Sequence, residues 1–210
     1  MNLMMVGLLL ALAQGPALSA DPPFERAASS CGGGSERLSA LASFFELRPD
    51  QTVAEYQPDF VLTPCIADAV RDRGRLIAVV EGGDRVVQVV RRVAVQKTLK
   101  RGGTRYGKVA VLTLKPGKAV PAEHAGSADR VLISGGAGDL LGDRKRATGL
   151  LRALGELTAP AGLLGIIDVP DAGGVDVGKL SSIAREAGWS PAGQTSTGRA
   201  GLLLLKFRKN

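Results

Sequence analysis

Four apolar runs decide what this chain can become. Arg75–Glu81 (R-L-I-A-V-V-E), Lys108–Leu114 (K-V-A-V-L-T-L), Asp129–Ser134 (D-R-V-L-I-S) and Gly162–Val169 (G-L-L-G-I-I-D-V) run almost without polar interruption. A strand with one wet face alternates apolar and polar residues, whereas a strand covered by helices on both faces reads as a continuous apolar run. These four therefore predict parallel strands inside a helix-covered sheet.

The intervening segments supply the helices. Ser35 stands as a cap before Leu38, Leu41, Phe44 and Phe45, which fall at helical spacing. Asp59–Arg71 reads as a helix stopped by Gly74, and Val177–Ala187 as one stopped by Gly188. A further helix runs through Leu150 to Leu157 after the loop Gly135–Gly138. Asp84–Leu99 is ambiguous, because Val86, Val89, Val90 and Val93 fit a helical stripe while so many valines also favour a strand. Its place between two strands decides for helix. Gln51–Tyr56 adds a short strand; Ser190–Ser196 and Gly201–Arg208 add two more, close enough to pair as a hairpin. The fold class expected is α/β: a three-layer sandwich around a mostly parallel seven-stranded sheet with a C-terminal antiparallel hairpin.

With 210 residues, the chain suffices for one well-buried domain of this kind, placed at 35–210. Ahead of it, Leu3–Ala13 is an apolar run too short to span a bilayer comfortably, followed by small residues up to Ala20. That layout is expected of a signal peptide over 1–20, although Met1-Asn2 carries no cation; a retained N-terminal anchor is the rival. Residues 21–34, rich in Pro, Gly and Ser, read as a flexible leader. The expected location is exported, in the periplasm.

In an oxidising compartment, Cys31 and Cys65 offer one disulfide. It would close a loop worth on the order of 3–4 kcal/mol; two separate thiols are the alternative. No metal is expected, since two cysteines and the single His124 give no ligand cluster. The net charge of +7 is concentrated in Arg85–Lys118, which holds ten Lys and Arg residues and no Asp or Glu. Such a block suits an anionic partner or envelope surface, or is simply a solvated face. Nucleic acid is not expected, because no aromatic platform accompanies the charges.

The order of elements resembles the class I S-adenosylmethionine-dependent methyltransferases, over about Ser35 to Asn210. "LRPDQTVAEYQPD" looks like that family's first motif, "GRLIAVVE" its second strand with terminal acid, "ADRVLIS" its fourth strand and "LTAPAGLLGIIDV" its fifth. "REAGWSPAG" and "GLLLLKFRKN" resemble the last helix and hairpin, most like exported bacterial methyltransferase-like chains that end in a similar "LKFRK". The resemblance implies a Rossmann-like fold, S-adenosylmethionine as cofactor if the protein is active, a loop at Glu55, Gln57 and Asp59 against that cofactor, and Glu81 on its ribose.

The first motif departs from the family pattern. Counted from Glu55, the three glycine positions fall on Gln57, Asp59 and Val61. Glycine serves there because it allows positive φ and close backbone approach. Lys115-Pro116-Gly117-Lys118 lacks the acid usual for the adenine, and Gly135–Asp139 holds no aromatic or His to orient a methyl acceptor. No catalytic residue emerges: His124 has no evident acid or base partner. S-adenosylmethionine is moreover a cytosolic metabolite. These departures predict a methyltransferase-like protein without catalysis, with S-adenosylmethionine as cofactor if it is active and otherwise none, acting as a binding or scaffold module of the envelope. An active methyltransferase using Glu81, and a pocket reused for another anionic small molecule, remain the alternatives.

Overall fold

The computed structural model describes residues 35–58, 62–83, 86–134, 137–168, 175–197 and 201–210. The expected signal peptide, the leader, Cys31, Asp59 and Val61 lie outside them. The elements are α1 (Ser35–Phe45), β1 (Thr52–Tyr56), α2 (Leu62–Val70), β2 (Arg75–Glu81), α3 (Val86–Arg101), β3 (Ala110–Leu114), β4 (Ala128–Ser134), α4 (Ala137–Gly142), α5 (Arg144–Leu157), β5 (Thr158–Asp168), α6 (Val177–Glu186), β6 (Trp189–Ser196) and β7 (Leu203–Lys209).

One seven-stranded sheet has the order β3-β2-β1-β4-β5-β7-β6. The first five strands are parallel, and β7 runs antiparallel to both β5 and β6. The α/β class, the seven strands and the terminal hairpin are as the sequence predicts. Strand order reverses at β1, whose neighbours are β2 and β4, and ligands of open α/β sheets bind at the carboxyl ends beside such a reversal.

Strand alternation sorts side chains into two layers. Ala54 and Tyr56 of β1 and Ile77 and Val79 of β2 join the core beneath α5 and α6, together with Leu150, Leu154, Leu180 and Ile183. Val53 and Leu76 face the other way, onto Leu38, Leu41 and Phe45 of α1 and Ile66 of α2. Because side chains alternate along a strand, Glu81 shares the α5 face with Tyr56, and Glu55 shares the α1–α2 face with Val53. This parity governs the site.

Two expectations need correction. Gly135–Asp139 is not a loop throughout, since α4 begins at Ala137 and a second helix follows after Asp143. β5 begins at Thr158, four residues before Gly162, with an irregularity in its pairing at Ala128/Arg130. α3 is a helix, as its place between two strands implies; it buries Val95, while Val86, Val87, Val90 and Val93 face outward. The helix packs on β2 along one narrow side, where Val95 joins Ala78 and Val80.

α1 ends in a left-handed residue, Glu46 at φ 55°, with the Leu47 N–H reaching back to Ala42 O at 2.9 Å. Two cations satisfy its last carbonyls: Arg130 Nε donates to Phe45 O at 2.8 Å, and Lys206 Nζ to Phe44 O at 3.0 Å. Burial pushes the Arg130 guanidinium down from its ordinary value, with Glu46 opposing. Replacing Arg130 with Met is expected to cost about 2–3 kcal/mol by stranding buried carbonyls. Urea denaturation measures it.

Candidate functional site

A cleft of about 640 Å³ opens at the carboxyl ends of β2 and β3, lined by Glu81, Gly82, Gly83, Gln88, Pro116, Asp143 and Arg146. Glu81 is the last residue of β2, and Gly82 N donates to Leu114 O at 2.6 Å, which draws the two strand ends together. A side chain at Gly82 would meet Thr113 Cγ2 at 2.8 Å, so a Cβ there would force the Thr113 side chain to shift. α3 then starts beside the cleft and contributes Gln88.

The centre of the site is Glu81, whose side chain is only 5% exposed. Oε1 accepts hydrogen bonds from Gln88 Nε2 and from Arg146 Nε, both at 2.9 Å. Oε2 accepts from the Tyr56 hydroxyl at 2.6 Å and from Arg146 Nη2. A carboxylate offers about four lone-pair sites. All four have donors. Arg146 grips both oxygens in the bidentate geometry that gives guanidinium–carboxylate pairs their strength.

The network continues across β1. Gln57 Nε2 donates to the Tyr56 hydroxyl at 3.2 Å, and Arg91 Nη1 of α3 donates to Gln57 Oε1 at 2.7 Å. Burial, and next the Glu81 carboxylate, push the Tyr56 phenol well above its usual range, so it stays a donor at any physiological pH. Gln57 has φ 53°, the left-handed conformation that glycine adopts freely and other residues at a cost of about 1 kcal/mol. The backbone thus keeps a glycine-like shape at the first glycine position while carrying a bonded side chain.

Of the residues singled out from the sequence, Glu81 and Gln57 share one network. Glu55 is on the opposite face of the sheet, fully buried, where its carboxylate accepts from Thr63 Oγ1 at 2.7 Å and fixes the start of α2. Asp59 falls outside the described residues, and so does the side chain of Asp139. Cys65 is buried on α2, with its proposed partner Cys31 outside the description. His124 sits in the turn preceding β4, at the end of the sheet away from the cleft.

Sequence reasoning missed Tyr56, Gln88, Arg91 and Arg146. The signal for Arg146 was available: Arg144-Lys145-Arg146 puts three cations in the first turn of a helix, against its dipole. Cations so placed need acids elsewhere in the fold. Arg144 finds Glu186 at 2.8 Å, and Arg146 finds Glu81. Asp143 caps the helix through Arg146 N at 2.9 Å and so aims the side chain.

No family model matches the chain, and no curated protein matches it. Solved structures do. LaPhzM superposes with a TM-score of 0.62 at 15% identity over 88% of this chain, which spans 57% of LaPhzM. A SAM-dependent methyltransferase from Aquifex aeolicus gives 0.57 at 19% identity, covering 86% of this chain and 96% of that one. The Burkholderia thailandensis 1,6-didemethyltoxoflavin-N1-methyltransferase, solved with S-adenosylhomocysteine, gives 0.55 at 14% identity, covering 90% and 79%. At such identities the likeness defines the fold. It is the class I methyltransferase fold, with the cleft at the carboxyl ends of its strands.

S-adenosylmethionine fits this cleft poorly as it stands. Ribose hydroxyls donate to the acid at the end of β2 in the resembled family, and here every acceptor site of Glu81 is already in use. The arrangement holds an ion pair.

Proposed function

We propose that this protein is a methyltransferase-like module without catalysis, exported and acting by binding or as a scaffold in the cell envelope. The observation that carries the reading is the saturation of Glu81 by Tyr56, Gln88 and Arg146. A ribose diol would have to displace Arg146 and leave a largely buried guanidinium seeking another partner. The bonded Gln57 side chain at the glycine position supports the same reading. The Cys31–Cys65 disulfide belongs to it: tying the leader to α2 would draw chain across the loop that follows β1.

Titration calorimetry with S-adenosylmethionine is expected to give no binding at micromolar concentrations. The variant Arg146→Ala/Gln57→Gly, which frees two acceptor sites and restores one glycine, is expected to gain measurable binding. Micromolar binding by the unsubstituted protein would overturn the proposal.

A second reading, an active methyltransferase of unknown acceptor, draws on the open cleft beside Glu81 and on the 19% exposure of Arg146, which leaves it a path to swing outward. On that reading the unsubstituted chain binds cofactor and Glu81→Ala abolishes it with the fold intact.

A further inference from the structure

The surface of α3 is unlike that of an ordinary covering helix. Val86, Val87, Val90 and Val93 are 78%, 55%, 59% and 53% exposed. Val86, Val90 and Val93 follow the i, i+4, i+7 spacing that places them in one row, and Lys97 continues that row with Lys100 and Arg101 beside it. The outward face is thus apolar at the end bordering the cleft and basic at the other. No acid lies anywhere in Arg85–Lys118 to neutralise it. Scattered single valines on a surface need no explanation, but a row of them continued by cations does.

We propose that the outward face of α3 docks this protein on an anionic lipid surface, the valines entering the boundary of the acyl chains while Lys97, Lys100 and Arg101 meet the headgroup phosphates. Three observations favour that occupant. The charge is of one sign, which matches a phosphate layer. The face is the exposed side of a single helix, and a planar deformable layer suits that shape. Apolar residues joined to cations on one helix are the composition of interfacial helices. A second copy is disfavoured, because a self-complementary contact would bring the same cations into one interface. Val86 lies only three residues from Gly83, which lines the cleft, so docking holds the cleft mouth beside the lipid. The inference stands independently of whether the cleft takes a cofactor.

The test is sedimentation of the full chain with vesicles of phosphatidylcholine alone or with about one third phosphatidylglycerol. Two variants are compared: Val86→Ser/Val90→Ser/Val93→Ser and Lys97→Glu/Lys100→Glu/Arg101→Glu. Circular dichroism verifies that both keep the fold, as expected for exposed positions. The unsubstituted chain should prefer the anionic vesicles and release with salt. Charge reversal should weaken partitioning on the order of a hundredfold, and the serine variant at least about tenfold. Equal partitioning by all three chains would overturn the proposal, since the apolar segment Leu3–Ala13 would then be the binding element. Failure to bind either vesicle, or dimerisation lost in the same variants without vesicle binding, would overturn it as well.

Discussion

Arg146→Ala should lower the free energy of unfolding by about 2–3 kcal/mol, because it strips a bidentate partner from a buried carboxylate. Glu81 would keep Tyr56 and Gln88 as donors but lose the only cation at its side among the described interactions. Arg146→Lys should recover little, since an ammonium is a point charge and cannot bridge both oxygens in the plane of the carboxylate. Removing both charges is expected to cost less than removing either alone: a buried pair replaced by apolar groups is often near neutral, whereas one orphaned member is not. A double-mutant cycle on Arg146→Met and Glu81→Leu in urea should therefore give a coupling of about 2 kcal/mol. A coupling near zero would mean that the pair is incidental and that Glu81 is available to a ligand.

That experiment addresses what the sequence left hidden. The strands were legible because burial on both faces leaves a direct mark on composition, as in Arg75–Glu81 and Asp129–Ser134. Glu81 was legible for the same reason: it is the polar residue that ends an apolar run. Its partner Arg146 comes from 65 residues further along, and nothing local in Arg144-Lys145-Arg146 names the acid it meets. Glu55 and Tyr56 were adjacent in the first motif, and alternation alone sends them to opposite faces. Choosing which of the two faces α5 required knowing which helix crosses where. The same gap hid the buried side of α3, whose helical period was readable.

Trp189→Ala should cost about 3–5 kcal/mol, the largest single loss in this fold. β6 is an edge strand, and Trp189 is its one buried residue, with the following seven exposed. Its indole is fully enclosed, with Nε1–H donating to Leu151 O at 2.9 Å and its ring against Gly155, so that it ties β6 to α5. The remainder of β6 carries Pro191 and an irregular register between Pro191 and Gly193, features that protect an edge from pairing with other chains but add little attachment. Truncation would thus leave the strand held mainly by its ladder to β7, with a cavity beneath it among Leu180, Ile183 and Ala184. Trp189→Phe should cost roughly half as much, because the ring still fills most of the space while the indole hydrogen bond is lost. Thermal melts and hydrogen exchange of β6 amides report the two effects separately. If Trp189→Ala lowered stability while leaving exchange in β6 unchanged, the indole would be core filling alone, and the hairpin would stand without it.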